Sequence, residues 1–436
     1  MGRDALVLLS MRVVGTFFWL GYTVVLARTL SQPDFALVLY VVNFSMIAVL
    51  VVTLGRDVAL LRLVSQSWKL GAHSAARRML AKSRRAVFLS SVLLTAALVI
   101  SSVLGLDTPM TSSPLIALLS GLITMAGAQM GLNRDTLRSL DKVWQSQIGF
   151  NFVRTVIPAV GALLVHMSFN MNAKMALVLF LVALGLSIMI EEAILRKVQW
   201  VDDPKASAPD SADVMRAGLR LWPGNIANAV QMRIAGLVAG LAFEPETAAL
   251  FLAAERIANL AQFPIAAAGQ AAGPRVAQAA LLNLRETQSE LSNAGLLMLV
   301  GSLIGCIGAA TLAWPGLWML GPDYLAALPM TLILIAAHLS WAIFGFGQDA
   351  LNLTGNHHIY RNVAVIMAII GTFTTSLIAI KFGPLAMAWA YCAIWWTTNI
   401  VFVLALYATN RLKAGAITAH HAQLRRNFAR PSDSKE

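Results

Sequence analysis

Apolar residues fill this chain in blocks of roughly 20, separated by short polar stretches. A block of that length crosses a hydrocarbon core of roughly 30 Å as a helix. Strands of a membrane barrel alternate polar and apolar residues, and these runs do not. In lipid every backbone N–H and C=O must be satisfied within its own segment, which again selects helices. The pattern predicts an all-α polytopic membrane protein with about twelve transmembrane helices. The first six spans centre near Trp19, Phe44, Ala96, Ile123, Val160 and Leu184. The second six centre near Val230, Leu260, Ile304, Ala337, Ile369 and Ile394. Pro158 in span five and Pro264 in span eight predict kinks.

Composition supports this reading. Of the 436 residues, 58% are hydrophobic and 12% charged, where a soluble domain carries about 25% charged residues. The N-terminal apolar run, from about Ala5 to Ala27, is too long for the h-region of a cleavable signal, so it is taken as the first span. With both termini placed in the cytoplasm, about 26 of the 33 Lys and Arg fall in cytoplasmic segments. Only Arg28, Lys174 and Lys381 fall outside, which is the positive-inside asymmetry of a bacterial inner-membrane protein. The net charge of +12 is therefore a topology signal, and nucleic acid is not an expected partner. Membrane lipids are: RRMLAKSRR, from Arg77 to Arg85, meets anionic headgroups at about 1 kcal/mol per basic residue.

The middle of the chain carries DDPKASAPDSAD, a polar Pro/Ser-rich linker. It divides the chain into an N-terminal six-helix bundle (1–200), a cytoplasmic linker (201–220), a C-terminal six-helix bundle (221–410) and a basic cytoplasmic tail (411–436). The halves share a turn. Gln32-Pro33-Asp34-Phe35-Ala36 precedes span two and Glu244-Pro245-Glu246-Thr247-Ala248 precedes span eight, 212 residues later. Six spans per half start both halves on the same side, so the repeat is parallel.

The polar residues within spans carry the functional signal. In FLAAERIANLAQFPIAAAGQAAGPRVAQ, Glu255, Asn259 and Gln262 are spaced i, i+4, i+7 and share one helix face, with Arg256 about 100° round. Span seven carries Asn225, Asn228 and Gln231, with Arg233 further round; span one carries Arg12, and span five Asn151 and Arg154. A charge at the bilayer centre costs about 2.5–3.5 kcal/mol on insertion scales, so these arginines face a wet cavity, pair inside the bundle or snorkel to an interface. Snorkelling competes most at Arg12 and Arg154, pairing with an acid at Arg233 and Arg256. His338 reads as a packed histidine and Asp349 as a helix-end charge. Glu255 is the one deep carboxylate, so arginine outnumbers acid, and such a cavity favours an anionic solute with groups for forked arginine contacts. The expected substrate-binding residues are Arg12, Arg233, Arg256, Arg154, Asn225, Asn228, Asn259 and Gln262, with Glu255 pairing an arginine while the site is empty.

Enzyme signatures are missing from the sequence. It holds no GxxxxGK[ST] loop, no HExxH and no Cys/His cluster, so no catalytic residue, metal or cofactor is expected. Cys306 and Cys392 read as small packing residues, and Gly301/Gly305 as a close helix contact.

Four stretches resemble a known family. LARTLSQPDFALVLYVVNF is similar to the first turn of polysaccharide flippases, and TLGRDVALLRLVSQ to the stretch after their second span. AALFLAAERIANLAQFPIAAAGQAAGPRVAQ resembles their span eight, with Ala254, Arg256, Pro274, Val276 and Ala277 carrying the pattern; GPLAMAWAYCAIWW resembles the glycine-led last span. The likeness is to the multidrug/oligosaccharidyl-lipid/polysaccharide (MOP) exporter superfamily, with the Wzx-type O-antigen flippase branch fitting best. Ala36 and Ala248 stand where glycine is common. The resemblance implies two pseudo-symmetric six-helix bundles around a central cavity, and alternating-access transport of a polyprenyl-diphosphate-linked oligosaccharide for polysaccharide biosynthesis. It brings polysaccharide-assembly proteins into view as partners. Three alternatives stand beside it: a MATE-like cation-coupled drug antiporter, which Glu255 keeps open; a membrane glycosyltransferase or polymerase, against which the short outer loops count; and a non-transporting scaffold.

Overall fold

The computed structural model describes residues 2–106, 108–201 and 212–414, with the backbone alone for 2–13, 212, 213 and 221. All regular structure among these residues is helical. The first stretch runs α1 (Gly2–Thr29), α2 (Gln32–Thr53), α3 (Arg56–Lys69), α4 (His73–Val103) and α5 (Pro114–Ser139). The short α6 (Gln145–Gln147) continues through a π turn (Ile148–Val153) into α7 (Arg154–Ser168), followed by α8 (Ala173–Arg196) and α9 (Ala212–Ala242). Then come α10 (Pro245–Ala258), a 3₁₀ turn (Asn259–Ala261), α11 (Gln262–Ala280) and α12 (Leu284–Leu320). The last elements are a 3₁₀ turn (Pro322–Ala327), α13 (Leu328–His338), α14 (Ser340–Phe344), α15 (Gly347–Leu353) and α16 (His357–Asn410).

All twelve expected span centres fall on these elements. Eight helices among the described residues are long and apolar enough to cross a membrane by length and composition. The 54-residue α16 holds two of the expected spans, separated at Gly383, whose φ of 82° and ψ of −174° interrupt the helix just before Pro384. The helix α9 is not among the eight, because Asn225, Asn228, Gln231 and Arg233 break its apolar run. Residues 202–211 of the expected linker and 415–436 of the expected tail lie outside the described residues; residues 212–220 already belong to α9.

The chain divides into two compact units, residues 1–252 and 253–436. In the first, Ser31 caps α2 by accepting from the Asp34 amide, with Pro33 in the first turn, where its missing N–H costs nothing. Pro245 is the first residue of α10, where its missing N–H likewise costs nothing. The helix α2 ends in two left-handed residues, Leu54 and Gly55. A Cβ on Gly55 would run into the Gly218 carbonyl oxygen, so this turn lies directly on α9. One turn further along α9, the Trp222 indole N–H donates to the Leu50 carbonyl at 2.7 Å, satisfying an acceptor of the last turn of α2.

The segment after α2 folds as a separate amphipathic helix, α3, which span counting passes over. Ala59, Leu60, Leu63 and Val64 form its buried face, on a cluster that includes Val52, Met79, Leu132 and Leu195. Nearby, an Arg84–Glu192 ion pair of 2.6 Å joins α4 to α8, and Arg84 Nε donates to Asn133 Oδ1 on α5 at 3.1 Å.

In the second unit the Gly301/Gly305 spacing serves close packing. A Cβ on Gly301 would lie 2.8 Å from the Pro264 carbonyl oxygen, and one on Gly305 would run into that of Ala261. Pro264 has no N–H for the Leu260 carbonyl, and the helix tightens into its 3₁₀ turn at this point. The π turn at 148–153 likewise lies just before Pro158.

Candidate functional site

Residues from α2, α3, α5, the π turn, α7, α8 and α9 enclose a cavity of about 470 Å³ within the first unit. Its walls are largely apolar, with Val42, Met46, Ile123 and Phe180 among them. Its polar lining is concentrated in Arg134, Arg154, Arg233, Asn225, Asn228 and Asp57. Three arginines therefore face one acid around the same space.

Each arginine is positioned differently. Arg154 opens α7, directly after the π turn, and its guanidinium lies 4.0 Å from the centroid of Phe150 and 5.3 Å from that of Trp19. A π turn adds a residue to the helical circuit, which re-aims the side chains that follow it, and such turns recur at functional sites. The turn is backed by Gly15 of α1, where a Cβ would meet that of Asn151 at 2.7 Å. Asn151 itself is buried and donates to Gln147 Oε1 at 3.1 Å. Arg134 stands 4.8 Å from the same Phe150 ring, so two guanidinium groups share one aromatic ring. It is also held in a fork by Asp135, with Nε to Oδ1 at 3.1 Å and Nη2 to Oδ2 at 3.2 Å. Arg233 reaches from α9 toward α2, where its Nη1 lies 3.5 Å from Asn43 Oδ1.

Asp57 sits in the first turn of α3, and its Oδ1 has no hydrogen-bond partner among the described residues. Burial raises its carboxyl above the usual carboxylate range, and the carboxylate of Asp135 adds to this. Arg134 and the Val58 amide act in the opposite direction.

Four of the sequence-predicted site residues, Arg154, Arg233, Asn225 and Asn228, thus line this one cavity. The Arg12 side chain lies outside the described residues. Glu255, Arg256, Asn259 and Gln262 belong to the second unit. There Glu255 is buried at 5% exposure, Arg256 is half-buried, and Gln262 Nε2 donates to Asn259 Oδ1 at 2.9 Å. The 3₁₀ turn explains that bond, since side chains three residues apart eclipse one another in this geometry. His338 is buried within α13, and Asp349 lies on α15 with Oδ2 3.8 Å from where a Gly269 Cβ would be.

Sequence reading missed Arg134 and Asp57. Both belong to charged stretches, GLNRDTLRSLDK and LGRDVALLR, that read as membrane-flanking segments. The available signal was the amphipathic period of Ala59, Leu60, Leu63 and Val64, which makes Arg56–Lys69 a packed helix with its own first turn.

A family model described as polysaccharide biosynthesis protein matches residues 1–280. The fold is shared with solved transporters. The lipid II flippase MurJ in an inward closed conformation superposes with a TM-score of 0.68 at 13% identity, covering 100% of this chain and 94% of that one. An inward-facing multidrug resistance MATE family transporter of the MOP superfamily gives 0.66 at 13% identity, covering 98% and 100%. A MOP superfamily transporter from Pyrococcus furiosus, described as having a binding pocket of reverse polarity that suggests a different function, gives 0.60 at 14% identity, covering 92% and 93%. No curated protein matches the chain in sequence.

Proposed function

The chain belongs to the polysaccharide biosynthesis protein family and has the fold of membrane transporters and flippases rather than that of an enzyme; from this premise we propose that it flips an anionic lipid-linked saccharide, a polyprenyl-diphosphate oligosaccharide, across the inner membrane by alternating access. The observation that carries the reading is the cavity of the first unit, where Arg134, Arg154 and Arg233 face the single acid Asp57. Three guanidinium groups against one carboxylate make the lining positive, which suits a diphosphate, and Arg134 is held in place by Asp135. Guanidinium groups bind phosphate oxygens in a fork, with shorter and stronger bonds than neutral donors give. Asn225 and Asn228 on α9 are amides suited to headgroup and sugar hydroxyls. Arg12, Arg256, Asn259 and Gln262 are further proposed substrate contacts, with Glu255 holding an arginine while substrate is absent.

The membrane potential can drive such a step without ATP. Moving one charge through 100 mV is worth about 2.3 kcal/mol, and a diphosphate of about two charges leaving a negative cytoplasm gains roughly twice that. The proposal puts both termini in the cytoplasm, the orientation that the distribution of Lys and Arg supports. Polysaccharide-assembly proteins are the natural neighbours of this activity.

The test is reconstitution of purified protein into liposomes with a labelled lipid-linked saccharide. Transport by the intact chain, and its loss in Arg154→Gln/Arg233→Gln at unchanged protein level, supports the reading. Normal transport by the double variant makes these arginines structural. Efflux of a cationic drug with no flipping selects the MATE-like antiporter, which the buried Glu255 favours.

A further inference from the structure

Away from the cavity, one exposed face of α4 changes character abruptly. Arg78, Lys82, Arg85 and Leu89 follow at i, i+4, i+7 and i+11, so they form one stripe along the helix. Beyond Arg85 that side is apolar and exposed: Phe88 at 49%, Leu89 at 62% and Leu93 at 72%. The helix contains no Asp or Glu to balance its basic residues.

The two consecutive arginines at the transition do different things. Arg84 is committed inward, through its 2.6 Å ion pair with Glu192, and its carbonyl accepts from Gln129 Nε2 of α5 at 3.0 Å. This fixes a shallow groove of about 470 Å³ between α4 and α5, lined by Arg84, Arg85, Phe88, Leu89 and Gln129. Arg85 is exposed at its rim and forms no hydrogen bond or ion pair among the described residues.

Spacing along the helix matches the layering of a bilayer. Leu89 lies about 6 Å along the axis from Arg85, and Arg78 about 10 Å in the other direction. The headgroup layer is roughly 5–8 Å thick on each side of the hydrocarbon core. With Phe88 and Leu89 in hydrocarbon, the Arg85 guanidinium therefore stands at the level of the lipid phosphates.

The geometry points to a binding site for an anionic bilayer phospholipid in the α4/α5 groove, with its phosphate on Arg85, Lys82 and Arg78 adding charge, and an acyl chain along Phe88 and Leu89. A zwitterionic lipid brings its own cation to this basic face and gains less. A bulk phospholipid suits a groove that is shallow, open and apolar below a single unmatched arginine. The inference does not rest on the transported substrate.

Native mass spectrometry of the full chain, with dioleoylphosphatidylglycerol titrated against dioleoylphosphatidylcholine, tests it. The wild type retains the phosphatidylglycerol preferentially. Lys82→Gln/Arg85→Gln weakens that retention about 25-fold, the equivalent of about 1 kcal/mol for each charge removed. Arg85→Lys keeps most of it, and Arg285→Gln, on the first turn of α12, leaves it unchanged. Monodisperse elution of each variant establishes that it is folded. Equal retention by the double variant and the wild type overturns the site. So does binding of geranylgeranyl diphosphate that depends on Arg85 where phosphatidylglycerol binding does not, a result that would reassign the groove to the prenyl diphosphate.

Discussion

The polar residues of the first unit and those of the second begin from the same sequence signal, amides and an arginine inside an apolar span, and reach different arrangements. In residues 1–252 the side chains come from separate helices and converge on one cavity, with Arg134 from α5, Arg154 from α7, Asn225, Asn228 and Arg233 from α9, and Asp57 from α3. In residues 253–436 they come from one continuous stretch, the end of α10, the 3₁₀ turn and the start of α11, and Gln262 donates to Asn259. A binding cavity needs groups that meet across helices, whereas spacing along one helix produces neighbours that satisfy each other. Both acids stand next to an arginine in sequence, Glu255 to Arg256 and Asp57 to Arg56, but Asp57 also shares a cavity with Arg134, Arg154 and Arg233 from other helices.

Substitution of the two clusters in one flipping assay tests this contrast most severely. Arg154→Gln/Arg233→Gln removes two charged partners worth about 1.5–3 kcal/mol each and lowers the flipping rate by about 100-fold or more. Asn259→Ala/Gln262→Ala removes a pair that bond each other, and the loss stays below about 10-fold. A larger effect from the second variant would reverse the assignment.

The next contrast concerns packing. Gly55→Ala combines a positive φ of 74° with a collision against Gly218, and destabilises the protein by about 3 kcal/mol in thermal unfolding. Gly305→Ala meets the Ala261 carbonyl from an ordinary helical conformation, and costs about 2 kcal/mol. Equal effects would show that the left-handed turn after α2 contributes nothing of its own.

The smallest effect is a pH dependence that arises from Asp57 in the first unit. Because burial holds the Asp57 carboxyl above its unfolded value, the native state binds more protons across the interval between the two. Stability from this group is full below the ordinary carboxylate range and is lost as pH rises through the folded value. Asp57→Asn is neutral throughout, so it gains on the wild type by about 1 kcal/mol or less at pH 7.5, and the gain vanishes near pH 3. Parallel melting curves at the two pH values would refute it.

Much of the fold is legible in the chain because lipid forces long apolar runs into helices. The breaks are legible too, since a proline lacks the N–H that the preceding turn needs: Pro264 stands just after a 3₁₀ turn and Pro158 just after a π turn. The site is legible only in part. Asn225, Asn228, Arg154 and Arg233 stand out because an apolar run makes polar residues conspicuous. Arg134 and Asp57 do not, because each is embedded in a charged stretch and gains its place only through tertiary packing. For Asn259 and Gln262, helical spacing gives the shared face with Glu255 but not the bond between them, which forms where the helix tightens before Pro264.

The interruption at Gly383 has a consequence for how the protein is made. Drawn straight, a helix of the length of α16 would extend about 81 Å, more than twice the thickness of the hydrocarbon core. Its two apolar runs can reside in one bilayer only as a pair joined at that glycine, with Pro384 starting the second run without an N–H to bury. A reversal at Gly383 fits both runs into one bilayer and brings Asn410 back to the side on which His357 begins. Lengthening or shortening either run shifts a helix end along the bilayer normal, while removing the glycine threatens the direction of everything after it.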